Sequence, residues 1–248
     1  SGLQWHHIKH HIAPNQVAVF AGSSIGQMDE SGFGGMLKSA VLGKRTTSKQ
    51  LPLGYPQMPA DFSNAYVLGS LGRSGATMGA CASFLYNLHN AIDGIQEGRY
   101  KVAIVGGGDC PITPEVIEGF RAMGALAEDQ GLRELDGLSD TDTPNYRRTS
   151  RPFGLNCGFT MGESSQYVIL MDDQLALELG ATIYGSVPTV ASHADGGKRS
   201  ISAPGAGNYL TLAQAAASIR DLLCQDVLAH ETLVQAHGTS TPQNRVTE

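Results

Sequence analysis

The chain has 248 residues, 41% of them hydrophobic, enough apolar material to hide roughly three quarters of the unfolded surface in one or two domains. Its 17 Lys and Arg against 23 Asp and Glu leave a formal net charge of −6, which argues against a nucleic-acid binder with the usual basic face. The polar start SGLQWHHIKHH and the lack of any apolar run near the ~20 residues of a membrane helix predict a soluble protein with neither span nor signal.

Taken in chain order, two periods alternate. QVAVFAG (16–22) reads as a strand ending in Gly, and LGKRTTSKQ (42–50) carries a cluster of basic residues. GATMGAC (75–81) is strand-like and runs into a helix over 82–97, with Leu85, Leu88, Ile92 and Ile95 at spacings of three and four and Gly98 as its stop. KVAIVGGG (101–108) is a strand, and Thr113 with Pro114 opens a helix over 114–123. The polar interval 128–152 reads as a long loop or lobe boundary. Beyond it follow a strand (166–171), a helix (172–179), a strand (182–192), a helix (208–225) and a strand, ETLVQAHG (231–238). Strands alternating with helices predict an α/β fold with a largely parallel sheet covered on both sides. The 31 glycines show no period, so neither a repeat nor a low-complexity linker is expected.

Four cysteines, Cys81, Cys110, Cys157 and Cys224, are widely spaced without a CxxC pair, which points to a reducing, cytoplasmic setting rather than a zinc ribbon or disulfide framework. Cys81 stands apart. If ATMGAC is a strand and ASFLYNLHNAI a helix, its sulfur sits at the helix N-terminus, near free N–H groups and about half a positive charge. That setting favours a thiolate, and Gly79, Ala80 and Ala82 are small enough to let the backbone approach a substrate. A small buried core residue is the competing reading, and the local pattern does not choose between them. In QAHGTSTP (235–242), a strand delivers His237 into a turn of hydroxyls. The imidazole could hydrogen-bond a carbonyl while Thr239 and Thr241 hold a polar ligand; a structural His at a turn is the commoner meaning of such a pattern.

The ordered set GACASF, AIVGGGD, GFRAMGAL, SRPFGLNCGFTMGE and HGTSTP resembles the β-ketoacyl-acyl carrier protein synthases, condensing enzymes of the thiolase superfamily, from about residue 16 to the end. The resemblance implies a thiolase-like layered αβαβα architecture, incomplete at both ends. Residues 1–150 would be a partial N-terminal half carrying Cys81, and 151–248 the start of the C-terminal half carrying His237. It also implies the chemistry: Cys81 carries the acyl group, and His237 hydrogen-bonds the malonyl thioester carbonyl in a decarboxylative Claisen condensation. The Cys81 N–H would be one oxyanion donor. Thr239, Thr241 and Ser202 would contact the phosphopantetheine arm, Phe159 would flank the malonyl site, Ile25 the acyl pocket, and Glu248 would support the site. Substrates would be an acyl-CoA or acyl-ACP and malonyl-ACP, with no cofactor beyond the phosphopantetheine they carry. The intact protein would be a homodimer, and Lys44, Arg45 and Lys49 would dock the acidic acyl carrier protein, although a solvated charge cluster explains those three residues equally well.

The sequence departs from that family's pattern in three ways. Asn244 and Arg245 stand where Gly and Asp are usual after HGTSTP, a charge reversal that points to a divergent, chain-initiating branch. The SRPF segment is one residue shorter, with Cys157 in place of an acid before Gly158. The family's later Lys, second His and GFGG turn are missing, so a fragment of a full synthase is expected.

The remaining signals are weaker. His6, His7, His10 and His11 have i, i+4 spacing for a metal if helical, but no further ligand completes a site, and a solvated helix is expected. Cys110, Cys157 and Cys224 read as packing residues. VGGGD lacks the Lys of a phosphate loop. GACAS could be a cysteine hydrolase elbow, but Ser83 stands where that elbow needs Gly. A non-catalytic chain-length-factor-like partner subunit would usually lack the nucleophile.

Overall fold

The computed structural model describes residues 3–199, 203, 205–223 and 225–247. Its elements in chain order are α1 (Trp5–Ile8), β1 (Val17–Gly22), α2 (Phe33–Val41), α3 (Gln50–Gly54), α4 (Met58–Ser63), a π-helix (Asn64–Leu68), β2 (Ser74–Gly75), α5 (Ser83–Gln96), β3 (Val102–Asp109), α6 (Pro114–Ala122), α7 (Asp129–Asp136), β4 (Ser164–Met171), α8 (Asp173–Glu178), α9 (Gly207–Leu222), α10 (Gln225–His230) and α11 (Asn244–Thr247). They divide into two compact units: Ser1–Asp109 with Ser164–Leu228, and Cys110–Glu163 with Ala229–Glu248.

The first unit is built on a four-stranded sheet in the order β2-β1-β3-β4. Every residue of β1 is buried, and its period-2 alternation feeds two faces. Ala18 and Phe20 join Leu88, Ala91 and Ile92 of α5, together with Tyr100, Ala103 and Val105. On the other face Val17 packs with Ile8, Val102 and Leu175, and Val19 and Ala21 with Ala60. Burying one side chain of the size of Phe20 is worth about 2–3 kcal/mol, so this short run anchors the unit. The core stripe of α5 is narrower than its spacing predicts: Leu85 is exposed, and the polar Asn87 is buried instead. The helix stops as expected, with Gly98 at φ +72°.

The sheet is mixed rather than largely parallel. β1 runs parallel to β2 and β3, but β4 pairs antiparallel with β3, Val102 opposite Met171 and Asp109 opposite Ser164. Its first six residues are exposed, so the expected cover on both sides holds for β1 and not for β4. At the base of the sheet Lys101 and Asp172 form a half-buried ion pair at 3.0 Å, and Asp172 caps α8 by accepting the Leu175 N–H. Burial alone would raise the Asp172 carboxyl; the hydrogen bonds from Lys101 and Leu175 and the Lys101 charge outweigh it and hold the group below its ordinary value.

Two predicted strands do not form. Residues 182–192 and 231–238 take no strand conformation, because β-branched residues become a strand only with a neighbour to ladder with. Val190 still packs on the α5 cluster, whereas Tyr184 is 97% exposed. ATMGAC likewise does not continue the strand, as β2 ends at Gly75 and Ala80 lies in a turn.

In the second unit α6 begins as predicted, with Pro114 in its first turn and the Thr113 hydroxyl accepting the Val116 N–H. The interval 128–152 is not all loop: it contains α7, whose Leu132 is fully buried and whose Asp136 pairs with Arg148 at 2.8 Å.

Candidate active site

Cys81 lies two residues before the first residue of α5, and it is exposed. That exposure weighs against the packing reading. The N-cap Ala82 has no side-chain oxygen to offer, and although the Ser83 N–H is taken by the Ala80 carbonyl at 3.1 Å, the positive end of the α5 dipole faces the cysteine. Directly before it, Ala80 holds φ +49°, a left-handed conformation that costs an L-residue roughly 1–2 kcal/mol and has to be imposed by its surroundings.

Two backbone bonds close the turn, Ser83 N–H to the Ala80 carbonyl at 3.1 Å and Ala82 N–H to the Gly79 carbonyl at 3.0 Å, and three side chains brace it. The Ser83 hydroxyl donates to the Ala80 carbonyl at 2.6 Å and accepts the Gly79 N–H at 3.0 Å. Asn87, 1% exposed, accepts the Thr77 N–H at 2.8 Å and donates to the carbonyls of Thr77 (3.2 Å) and Ser83 (2.8 Å). The Ser24 hydroxyl reaches the same Ala80 carbonyl at 3.3 Å. At Gly79 a Cβ would lie 2.1 Å from the Tyr86 ring, so the absence of a side chain there seats that ring.

The loop after β1 is tied down in turn. Asp109, the last residue of β3, accepts the Ser23 hydroxyl at 2.8 Å and the Ser24 N–H at 2.7 Å on one oxygen. Ser23 Oγ accepts the Gly26 N–H at 2.9 Å, and between them Ile25 is half-buried. An open concavity of about 330 Å³ is lined by Tyr55, Pro56, Gln57, Ala76 and Met78; Ile25 is not among its walls.

The second unit carries His237, Thr239, Thr241 and Phe159. His237 is exposed, and Thr239 and Thr241 are half-buried. Gly238 (φ +58°) and Ser240 (φ +67°) shape the turn, with Ser240 only 3% exposed. The Thr239 and Thr241 hydroxyls lie 3.1 Å apart, and Thr241 Oγ1 also accepts the Asn244 N–H at 3.3 Å. Arg245, the residue that reverses the usual charge, donates to the Gly154 carbonyl at 3.3 Å. Phe159 is clamped by backbone bonds, its N–H to Ala125 O and its carbonyl from Ala127 N–H, with an edge contact to Phe120 at 5.5 Å.

Lys44, Arg45 and Lys49 are all exposed between α2 and α3. Ser202, Glu248 and Cys224 lie outside the described residues. Cys110 is exposed, contrary to a packing role; Cys157 is half-buried, and burial, with Glu134 adding to it, pushes its thiol up despite its own backbone hydrogen bond and Arg148. α1 covers only Trp5–Ile8, so His6 and His10 do not share a helical face, and among the described residues no group of three or more His, Cys, Asp or Glu is placed to hold a metal. No described helix is long and apolar enough to cross a membrane. Sequence reasoning missed Ser24, Ser83, Asn87 and Asp109; an Asn beside Leu88 in an otherwise apolar helical stripe was the one visible signal.

Residues 4–176 match the family described as Beta-ketoacyl synthase, N-terminal domain. The chain is 56% identical over its whole length to the Beta-ketoacyl-[acyl-carrier-protein] synthase FabY of Pseudomonas aeruginosa, and spans 39% of that protein. It is 32% identical over 232 residues to a 3-oxoacyl-[acyl-carrier-protein] synthase 2 of Synechocystis, covering 52% of it. The crystal structure of FabY from P. aeruginosa superposes with a TM-score of 0.95 at 55% identity, over all of this chain and 38% of that one. The αβ sheet, the cysteine turn at the head of α5 and these matches have one explanation: the chain belongs to the β-ketoacyl synthase family.

Proposed function

We propose that the full-length protein is a β-ketoacyl-ACP synthase of fatty-acid synthesis. The observation that carries this reading is the exposed Cys81 on its braced left-handed turn at the head of α5, in a chain of the β-ketoacyl synthase family. In the proposed cycle the Cys81 thiolate attacks an acyl thioester carbonyl and expels the carrier thiol, leaving acyl-Cys81. Malonyl-ACP then loses CO2, and the electron pair of the broken C–C bond becomes an enolate held by His237. The enolate carbon attacks the acyl carbonyl and the Cys81 thiolate leaves, with the Cys81 N–H as one oxyanion donor.

The remaining assignments belong to the same proposal. Residues 1–150 and 151–248 belong to the two thiolase-like halves. Thr239, Thr241 and Ser202 hold the phosphopantetheine arm, Phe159 flanks the malonyl group, Ile25 borders the acyl chain and Glu248 supports the site. No cofactor is needed beyond the arm the substrates carry. Lys44, Arg45 and Lys49 meet the acyl carrier protein in the cytoplasm, and the working unit is a homodimer.

The test is product analysis with the full-length protein, malonyl-ACP and either acetyl-CoA or a longer acyl-ACP. A β-ketoacyl-ACP two carbons longer than the primer is expected, and none from Cys81→Ala. Preference for acetyl-CoA assigns the protein to chain initiation. Free fatty acid as the product would make it a hydrolase, and no acyl transfer at all would make it a partner subunit; either result overturns the proposal.

A further inference from the structure

We infer that Asp109 is a positioning residue that aims the Cys81 N–H, acting through Ser23 and Ser24. The inference rests on Cys81 being the nucleophile and its N–H an oxyanion donor. The chain of contacts is short. One carboxylate oxygen of Asp109 takes both the Ser23 hydroxyl (2.8 Å) and the Ser24 N–H (2.7 Å), which fixes the backbone of the loop after β1. Ser24 then presents its hydroxyl to the Ala80 carbonyl at 3.3 Å, on the same oxygen that Ser83 holds with its hydroxyl at 2.6 Å and its N–H at 3.1 Å.

What this grip controls follows from peptide geometry. The Ala80 carbonyl and the Cys81 N–H belong to one planar trans unit and point in opposite directions. These three donors on the carbonyl, the Ser83 N–H and hydroxyl from within the turn and the Ser24 hydroxyl from outside it, therefore set where the N–H aims. The peptide also follows a residue at φ +49°, which relaxes towards ordinary backbone if the grip loosens. An oxyanion donor works only when it points at the position the charge will occupy, so a small rotation of this peptide costs acylation without removing any group that touches substrate.

This gives a readout that loss of folding does not imitate. Acylation of Cys81 by a thioester passes through a tetrahedral oxyanion, whereas alkylation by iodoacetamide is a displacement at an sp³ carbon and forms none. In the full-length protein, Ser24→Ala and Asp109→Ala are compared with the parent, and Asp109→Asn, which keeps an acceptor oxygen, is the rescue variant. Single-turnover acylation by an acyl-CoA and iodoacetamide alkylation at Cys81 are both followed by peptide mass spectrometry. Cys157 serves as the internal reference, slowed by the burial that pushes its thiol up. Acylation is expected to fall about tenfold in Ser24→Ala and further in Asp109→Ala, below the 10²–10³-fold loss of a whole oxyanion donor. Alkylation should stay within about twofold, and Asp109→Asn should recover most of the acylation.

Unchanged acylation in Ser24→Ala overturns the inference, and so does a parallel fall of acylation and alkylation, which would mean that the contacts merely hold the fold. If Cys81 of the parent alkylates no faster than Cys157, the nucleophile reading itself fails and takes this inference with it. A parent that reacts selectively at Cys81 with insensitive variants leaves the nucleophile reading standing and removes only the role of Asp109.

Discussion

Ala80 and Ser240 both hold a left-handed backbone, at φ +49° and +67°, and each lies within three residues of a candidate reactive side chain. Their supports differ. Ala80 is exposed, and beside the local N–H and hydroxyl of Ser83 its carbonyl is held by a serine 56 residues away. Ser240 is buried, and bonds within its own turn contribute to its shape, the Thr239–Thr241 pair and the Asn244 amide on Thr241. A turn braced from afar depends on the fold of its whole unit, whereas a locally braced turn carries its own restraints; mutations in the two places should therefore behave differently.

The sharpest separation comes from Asn87. Replacing it with the similarly sized Leu leaves the part-buried Thr77 N–H and carbonyl and the buried Ser83 carbonyl without this partner, and a buried group left so costs about 1–3 kcal/mol, the part-buried ones less. A loss of about 3 kcal/mol in urea unfolding is expected, with Cys81 acylation falling alongside. Breaking Thr241→Val in the other turn removes the acceptor for one amide and should cost about 1 kcal/mol. Gly79→Ala drives a Cβ to 2.1 Å from the Tyr86 ring, and the ring's freedom to shift holds the cost to about 1 kcal/mol, the lower end of overpacking penalties. A smaller effect of opposite sign is predicted for Ala80→Gly. Relief of the left-handed strain against the extra entropy of Gly leaves a gain of up to about 1 kcal/mol, and Ser240→Gly, which also empties a buried site, should gain less. Differential scanning calorimetry of the pair reads this directly.

The smallest effect lies outside both turns. Asp172 is held below its ordinary value, so its share of stability is present above the unfolded carboxylate value near pH ~3.9 and is lost as pH falls through the lower folded value. Lys101→Met should flatten that acid limb by under about 1 kcal/mol, because the pair is only half-buried. Urea midpoints measured between pH 2 and 7 would show it; an unchanged slope below pH 4 would mean the pair is idle.

What could be read from the sequence was whatever is local. β1, β3 and β4 declared themselves by composition, and α5, α6 and α8 by spacing and caps. The same composition misled at 182–192 and 231–238, since β-branched residues do not say whether a ladder partner is present. The antiparallel direction of β4 was invisible for the same reason. In the site, Cys81 could be placed ahead of a helix by its neighbours, but the strain at Ala80 could not, because beside the local Ser83 its carbonyl is held by Ser24, 56 positions away, and the preceding Thr77 by Asn87, 10 positions away. α7 was hidden by its polar composition: Leu132 is the one residue it buries.

One further consequence follows from the pairing of β3. Gly22 sits opposite Gly107, and Asp109 opposite Ser164, so the eight residues from Val102 to Asp109 act as a ruler whose last mark is a carboxylate. Side chains alternate sides along a strand, so adding or deleting a single residue within it would turn that carboxylate to the opposite face. Length is therefore part of what this stretch encodes, alongside the buried Ala103 and Val105 and the close-packed Gly106 and Gly107 of its interior: an odd change in its count would misplace the carboxylate even with every residue type kept.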